Sequence, residues 1–265
     1  MKKLILKNIK FALGLVAALA LPSCLQNETT ISLNKDGSGT IVDETTLGAQ
    51  MMQMMSQFAE PGKADPIADM FSEEKAKEKA KKFGEGVEYV KTEMFEKDGK
   101  KGARVYFKFA DINKITVNPS DSVSGMQGPD QAQAEEEADK EAVKFAYADG
   151  KLNIILPPTD FKDMSMDEGG ENPQQEAMMM QMMADMRLAI KLEIPGGIGE
   201  TNASHVDGDS ITLFDIQVGK MLAQKDELKK ISETAETDMD AAKDAFGKID
   251  GVKVETKEDV TVTLK

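Results

Sequence analysis

The chain has 265 residues, room for one large or two small domains, and its 47 acidic and 33 basic side chains leave a formal charge of −14. A surface of that sign repels phosphate backbones and excludes nucleic-acid binding as a leading function. One Cys forbids an internal disulfide, and one Cys with one His forbids the common thiolate and multi-histidine zinc sites; 18 methionines stand against those absences.

The chain opens with Lys2, Lys3, Lys7 and Lys10, followed by Phe11–Leu21, eleven uncharged residues. As a helix that run spans roughly 16 Å at about 1.5 Å per residue, too short for a hydrocarbon core of about 30 Å, so it predicts an export signal rather than a spanning anchor. Leu21-Pro22-Ser23-Cys24 resembles the lipobox of bacterial lipoproteins. The resemblance implies that residues 1–23 are a lipoprotein signal peptide and that Cys24 is the lipidation site. Two or three acyl tails (a diacylglyceryl group and an N-linked chain such as palmitate), at ~0.8 kcal/mol per buried methylene, suffice for stable anchoring. An ordinary secretory signal that leaves Cys24 as a buried thiol is the other reading of these residues. The position of the only Cys favours the lipobox.

Residues 24–265 are then expected to form a single envelope domain, held to a membrane through its first residue. Loss of the four leading lysines takes its charge to −18. Leu25 rather than Asp after the cysteine favours the outer membrane over the inner, by analogy with enterobacterial sorting. No later stretch reaches eighteen apolar residues.

Five Asp-Gly pairs punctuate this domain, at Asp36, Asp98, Asp149, Asp207 and Asp250. Asp-Gly supplies the positive φ angles of tight hairpin turns. The first four lie between alternating segments and predict hairpins of 31–33 with 40–46, 87–96 with 103–109, 143–147 with 152–156, and 198–206 with 210–214. Arg187–Ile194 alternates most regularly, with Leu188, Ile190, Leu192 and Ile194 on one face. Val252–Val254 and Val260–Leu264 read as a last strand pair. Ser72–Phe83 predicts a helix, with an N-cap Ser, acids in the first turn, lysines in the last and Gly84 as a stop. Helices are also expected over 218–231 and 235–246. Asn118–Glu141 and Pro157–Gln175, acidic and poor in aliphatics, predict flexible inserts. The fold class is α+β: an antiparallel, hairpin-rich sheet of about eight to ten strands packed with four or five helices.

The methionines cluster in Met51-Met52-Gln53-Met54-Met55 and Met178–Met183 with Met186. On a helix the first run covers an arc of about 160°, with Gln50, Gln53 and Gln57 facing away. Packing by a flexible, gap-filling side chain accounts for the pattern most simply. A plastic apolar surface for a lipid tail or a varied partner is the second reading, and it makes Met51, Met52, Met54, Met55, Met179, Met182, Met183 and Met186 the candidate ligand or partner face. Thioether capture of Cu(I) is the third. Adjacent methionines diverge by about 100° on a helix, so they form no single clean ligand set.

His205, before a turn, reads as a surface or packing residue. Asn34–Gly39 and Asp207–Ser210 hold oxygen ligands without EF-hand spacing, and hairpin turns explain both. No nucleophile elbow, phosphate loop, dinucleotide fingerprint or His-Glu-x-x-His motif occurs. With one His and no activated Cys, no enzyme, metal site or cofactor is expected.

Two segments resemble the LppM-type lipoprotein domain: Ile31–Thr40, soon after Cys24, and Ile190-Lys-Leu-Glu-Ile-Pro-Gly-Gly-Ile198 followed by Thr201-Asn-Ala203 and Val206–Leu213. The resemblance implies a twisted antiparallel sheet backed by helices and a non-enzymatic envelope role, with lipid or glycolipid as the implied ligand class. It transfers no ligand-contact residue. The expected function is therefore a membrane-tethered, non-catalytic binding module for a lipid or another envelope component. The alternatives are a periplasmic copper-binding protein using Met-rich helices and a hydrolase using unmarked carboxylates.

Overall fold

The computed structural model describes residues 25–57, 65–119, 142–158, 161 and 183–265. The chain begins with hairpin β1 (Leu25–Leu33) and β2 (Gly39–Leu47), then α1 (Ala49–Gln57), α2 (Pro66–Met70) and α3 (Glu73–Lys82). Hairpin β3 (Glu88–Lys97) and β4 (Lys100–Phe109) follows, then a 3-10 turn at Ile112–Lys114, β5 (Thr116–Val117), and hairpin β6 (Val143–Ala148) and β7 (Lys151–Ile155). The last third holds β8 (Arg187–Glu193), β9 (Ile198–Thr201), β10 (Val206–Asp207), β11 (Ser210–Gln217), α4 (Val218–Leu222), α5 (Lys225–Ala235), α6 (Met239–Phe246), β12 (Val252–Val254) and β13 (Asp259–Leu264).

The α+β class with antiparallel hairpins is as expected, but the strands form two sheets rather than one. The larger runs β10-β11-β8-β1-β2-β4-β3, with β12 also on β11; the smaller runs β5-β6-β7-β13-β9. The Asp98-Gly99 and Asp149-Gly150 turns have positive φ at both central residues, the geometry that matches the twist of two-residue hairpins. Ser72 caps α3, accepting from Lys75 N at 3.4 Å.

Three expectations need correction. Residues 198–201 do not pair with 210–214; β9 joins the smaller sheet on β13, and only Val206 and Asp207 make the fourth hairpin. The two C-terminal strands do not pair with each other. The chain crosses between the sheets at buried Glu255, so β12 lies on β11 and β13 between β7 and β9. The helix expected over 218–231 is split at Ala223-Gln224, and Ala235 ends α5 rather than starting α6. Most of the two acidic segments lies outside the described residues, but Phe161 within the second is fully buried against Phe246, ring centroids 5.4 Å apart.

The main core fills the space between the sheets. It joins Ile31, Ile41, Phe107, Leu192 and Leu213 of the larger sheet to Phe145, Ile154, Val260 and Val262 of the smaller, with Ala76, Ala80 and Phe83 of α3 closing one side. A β-bulge between Thr212 and Phe214 sets successive residues Leu213 and Phe214 against this core and turns Asp215 to the outer face. A second cluster gathers Phe161, Leu222, Leu228, Ile231, Phe246 and Ile249 beneath α4–α6. Among the described residues no helix is long and apolar enough to cross a membrane.

Candidate functional site

Register brings several chain segments to one end of the larger sheet. Leu25 pairs with Leu47, Leu47 with Lys101, Gln26 with Arg187, and Arg187 with Gln217. At this Leu25 end, β2 runs through Gly48 into α1, with Met52 N donating to Gly48 O at 3.0 Å. Leu25, Leu47, Met51, Phe71 and Ala103 form a buried cluster, and Met52, Met55, Ile67, Met70 and Met186 pack around it half-buried.

Met186 reaches the cluster from the other methionine run. Its N–H donates to Met183 O at 3.0 Å, and its carbonyl accepts from Val218 N at 2.8 Å, docking the segment on the start of α4. Gly219 makes this approach possible, because a Cβ there would fall 1.8 Å from Ala184 O. Met186 and Met183 also pack on the helical cluster. Of the candidate methionines, then, the structure gathers Met51, Met52, Met55 and Met186 at one cluster, with Met183 alongside. Met51, 5% exposed, is core; Met52, Met55, Met183 and Met186 are half-buried. Met54 belongs to α1, but its side chain, together with Cys24, Met179 and Met182, lies outside the described residues.

The sequence reading missed a polar cluster on the inner face beside this end. Asp43, 3% exposed, accepts from Thr29 Oγ1 at 2.9 Å, Asn27 Nδ2 at 3.2 Å and Lys79 Nζ of α3 at 2.7 Å. Asn27 Nδ2 also donates to Thr45 Oγ1 at 2.9 Å. The ammonium ties α3 to the centre of the sheet and neutralises a carboxylate that would otherwise be costly to bury.

The outer face of the same sheet is a charge ladder. Arg187 donates through Nε and Nη2 to the two oxygens of Asp215 at 2.8 and 2.9 Å, and through Nη1 to Glu28 at 3.0 Å; Lys191 joins Glu28 at 2.9 Å. The hydrogen bond to Asp215 first, and the charges of both acids, hold the Arg187 guanidinium above its ordinary pKa against the opposing effect of burial. Farther out, Glu93 accepts from Lys91 at 2.6 Å and from the Tyr106 hydroxyl at 2.8 Å, which lowers its carboxyl pKa.

The remaining sequence candidates fall in turns. Asp36 accepts from the Ser38 hydroxyl at 2.6 Å and the Ser38 N–H at 3.0 Å, and its pKa is lowered by them, as in a hairpin turn. His205 is half-buried, with Nε2 3.3 Å from Val254 O. Beside it the buried Glu255 carboxylate accepts from Ser204 N at 2.6 Å and Ser204 Oγ at 3.0 Å, while Lys257 Nζ donates to Ser204 Oγ at 3.1 Å. The serine hydrogen is directed at the carboxylate and the lysine acts as a donor, so these groups pin a loop rather than activate a nucleophile. Among the described residues, no three His, Cys, Asp or Glu side chains converge as a metal site.

The fold defines a two-sheet α+β domain whose chemistry is apolar at one end and charge-paired on its open face. No protein-family model and no curated protein sequence matches the chain. Among solved structures it is similar to the folded domain of Mycobacterium tuberculosis LppM, with a TM-score of 0.32 and 9% sequence identity over 75% of this chain and 85% of that one.

Proposed function

We propose that the protein is a lipid-anchored envelope lipoprotein whose domain is a non-catalytic binding module, contacting a lipid or another envelope component through its Leu25 end. The observation that carries this reading is the packing of Met51, Met52 and Met55 of the first run together with Met186 in the cluster that contains Leu25, the residue after the lipobox cysteine. Anchor and methionine-rich surface then share one end of the molecule. Flexible thioethers suit such a surface because they repack against acyl chains or varied partners with little strain. The LppM-like turn segments agree with an envelope role.

Two measurements test the reading. Cys24→Ala is expected to move the protein out of the membrane fraction; continued partitioning with membranes overturns the lipid anchor. Native mass spectrometry of protein extracted from its own membranes is expected to show a bound lipid or envelope protein that is lost on Met52→Ser/Met55→Ser. A bare protein in both cases overturns the binding surface.

A further inference from the structure

The Leu25 end also carries a concavity, on the outer face. A cleft of about 410 Å³ lies between the end of β11 with α4 and the segment Lys248–Lys253, lined by Asp215, Gln217, Lys220, Lys248, Asp250 and Lys253 among others. Three lysines and two aspartates contribute to its lining, and the two carboxylates are not equally available. Asp215 is engaged on both oxygens by Arg187, so its charge is already matched. Asp250 lies 3.6 Å from Lys220 in an exposed pair, which holds it weakly. The side-chain ammoniums of Lys248 and Lys253 have no hydrogen-bond or ion-pair partner among the described residues. The lining holds three lysines against two aspartates, the opposite balance to the −14 of the whole chain.

The walls are built before any ligand arrives. The Gln224 side chain donates to Asp250 O at 3.1 Å and to Lys220 O at 2.9 Å, and accepts from Asp250 N at 3.3 Å. Gln217 N donates to Gly251 O at 2.8 Å. Gly251 sits at φ +82°, where a Cβ would come within 2.7 Å of Lys220 Cβ, so the loop closes tightly on the helix. With the backbone fixed, binding an anion orders only lysine side chains, which keeps its entropic cost low.

We propose that this cleft binds a phosphate group. Lysine ammoniums recognise phosphate as point charges, and two that lack protein partners supply them without breaking an existing pair. An extended polyanion is disfavoured by the chain's overall charge of −14. A single phosphate group, free or on a lipid headgroup, meets no such penalty. The register favours the headgroup as source: Gln217 pairs with Arg187 and Arg187 with Gln26, so the near wall of the cleft lies two strand spacings, about 10 Å, from the strand that begins one residue after Cys24. This choice of source rests on the proposed lipid anchor; the phosphate site itself does not.

Lysine acetylation of the full chain in phosphate-free maltoside micelles, read by mass spectrometry, tests the site. Phosphatidylglycerol, diacylglycerol and inorganic phosphate are added separately. Occupancy slows labelling by 1 + [L]/Kd, about threefold at a phosphate concentration twice Kd. Protection of Lys220, Lys248 and Lys253 is expected with phosphatidylglycerol and not with diacylglycerol, with Lys35 and Lys265 unchanged. Equal protection by inorganic phosphate supports the site with a free-phosphate source. Lys248→Gln/Lys253→Gln is expected to abolish the protection of Lys220 with the circular dichroism spectrum unchanged. Protection by neither phosphatidylglycerol nor inorganic phosphate overturns the site. The intact mass separately reports whether Cys24 is acylated, so failure of the anchor is distinguishable from failure of the cleft.

Discussion

Replacing Lys79 with Met removes the ammonium from the Asp43 cluster while keeping the aliphatic stem that lies along α3. The carboxylate is then left at 4% side-chain exposure with only the Thr29 and Asn27 donors. Breaking a buried pair from one side costs about 3–5 kcal/mol. The Lys79 side chain is 26% exposed, so water reaches the site and the expected loss falls to about 2–3 kcal/mol. At roughly 2–4 °C per kcal/mol for a domain of this size, the melting temperature drops by about 5–10 °C. Asp43→Asn is expected to cost less, about 1–2 kcal/mol, because Lys79 can turn its charge to solvent. The double variant Asp43→Asn/Lys79→Met leaves no buried charge and is expected to be no less stable than Lys79→Met alone. Urea unfolding followed by far-ultraviolet circular dichroism measures all four proteins. A Lys79→Met protein within about 0.5 kcal/mol of the parent, or strictly additive single losses, would refute the argument.

Three further outcomes follow from the geometry. Phe161→Ala removes an edge-to-face partner of Phe246 from a sealed cluster and is expected to cost about 3–5 kcal/mol in denaturant unfolding; a loss under 1 kcal/mol means that the residue does not hold its segment to the helices. Gly219→Ala drives a Cβ into the Ala184 carbonyl, so hydrogen exchange at Met186 and Val218 is expected to accelerate while the β3–β4 hairpin stays protected; uniform protection contradicts the close approach. Glu93 should titrate below its ordinary value of 4.5 by carboxyl NMR, because Lys91 and Tyr106 favour the charged form. Its folded pKa is depressed, so its contribution to stability is present above the unfolded pKa and is lost as pH falls through the folded one. Tyr106→Phe is expected to move that midpoint upward, and an unchanged midpoint removes the hydroxyl from the explanation.

The hairpins were legible because their signals are local. Asp98-Gly99 and Asp149-Gly150 encode their own φ angles, Ser72 encodes the start of α3, and Arg187–Ile194 carries its inner face in its alternation. What escaped sequence reading depends on partners distant in the chain. Gln26–Thr30 shows no apolar alternation because Asn27 and Thr29 face inward to Asp43 and Lys79, so the first strand is visible only from Ile31 onward. The bulge at Leu213 and the crossing at Glu255 answer to the two-sheet arrangement, which no local pattern announces. Phe161 is a lone aromatic in an acidic stretch, and only Phe246, 85 residues later, gives it a cluster. The methionine runs were conspicuous, but the packing of Met186 beside Met51, Met52 and Met55 was not, because it needs the register of β1, β2 and β8 together. The lysine cleft left no signature at all; its members are scattered, ordinary surface residues until α4 and the 248–253 segment converge.

The place of β1 between β2 and β8 has a consequence for how the chain reaches its native state. The first strand to be made lies in the middle of the larger sheet, and its parallel neighbour comes more than 150 residues later, with Gln26 opposite Arg187. The β1–β2 hairpin can form early, but one of its long edges stays open until β8 arrives. Closing so wide a loop makes folding slow, and parallel pairing adds to the delay. The larger sheet therefore reaches its final strand order only once the last third of the chain is available to pair with β1.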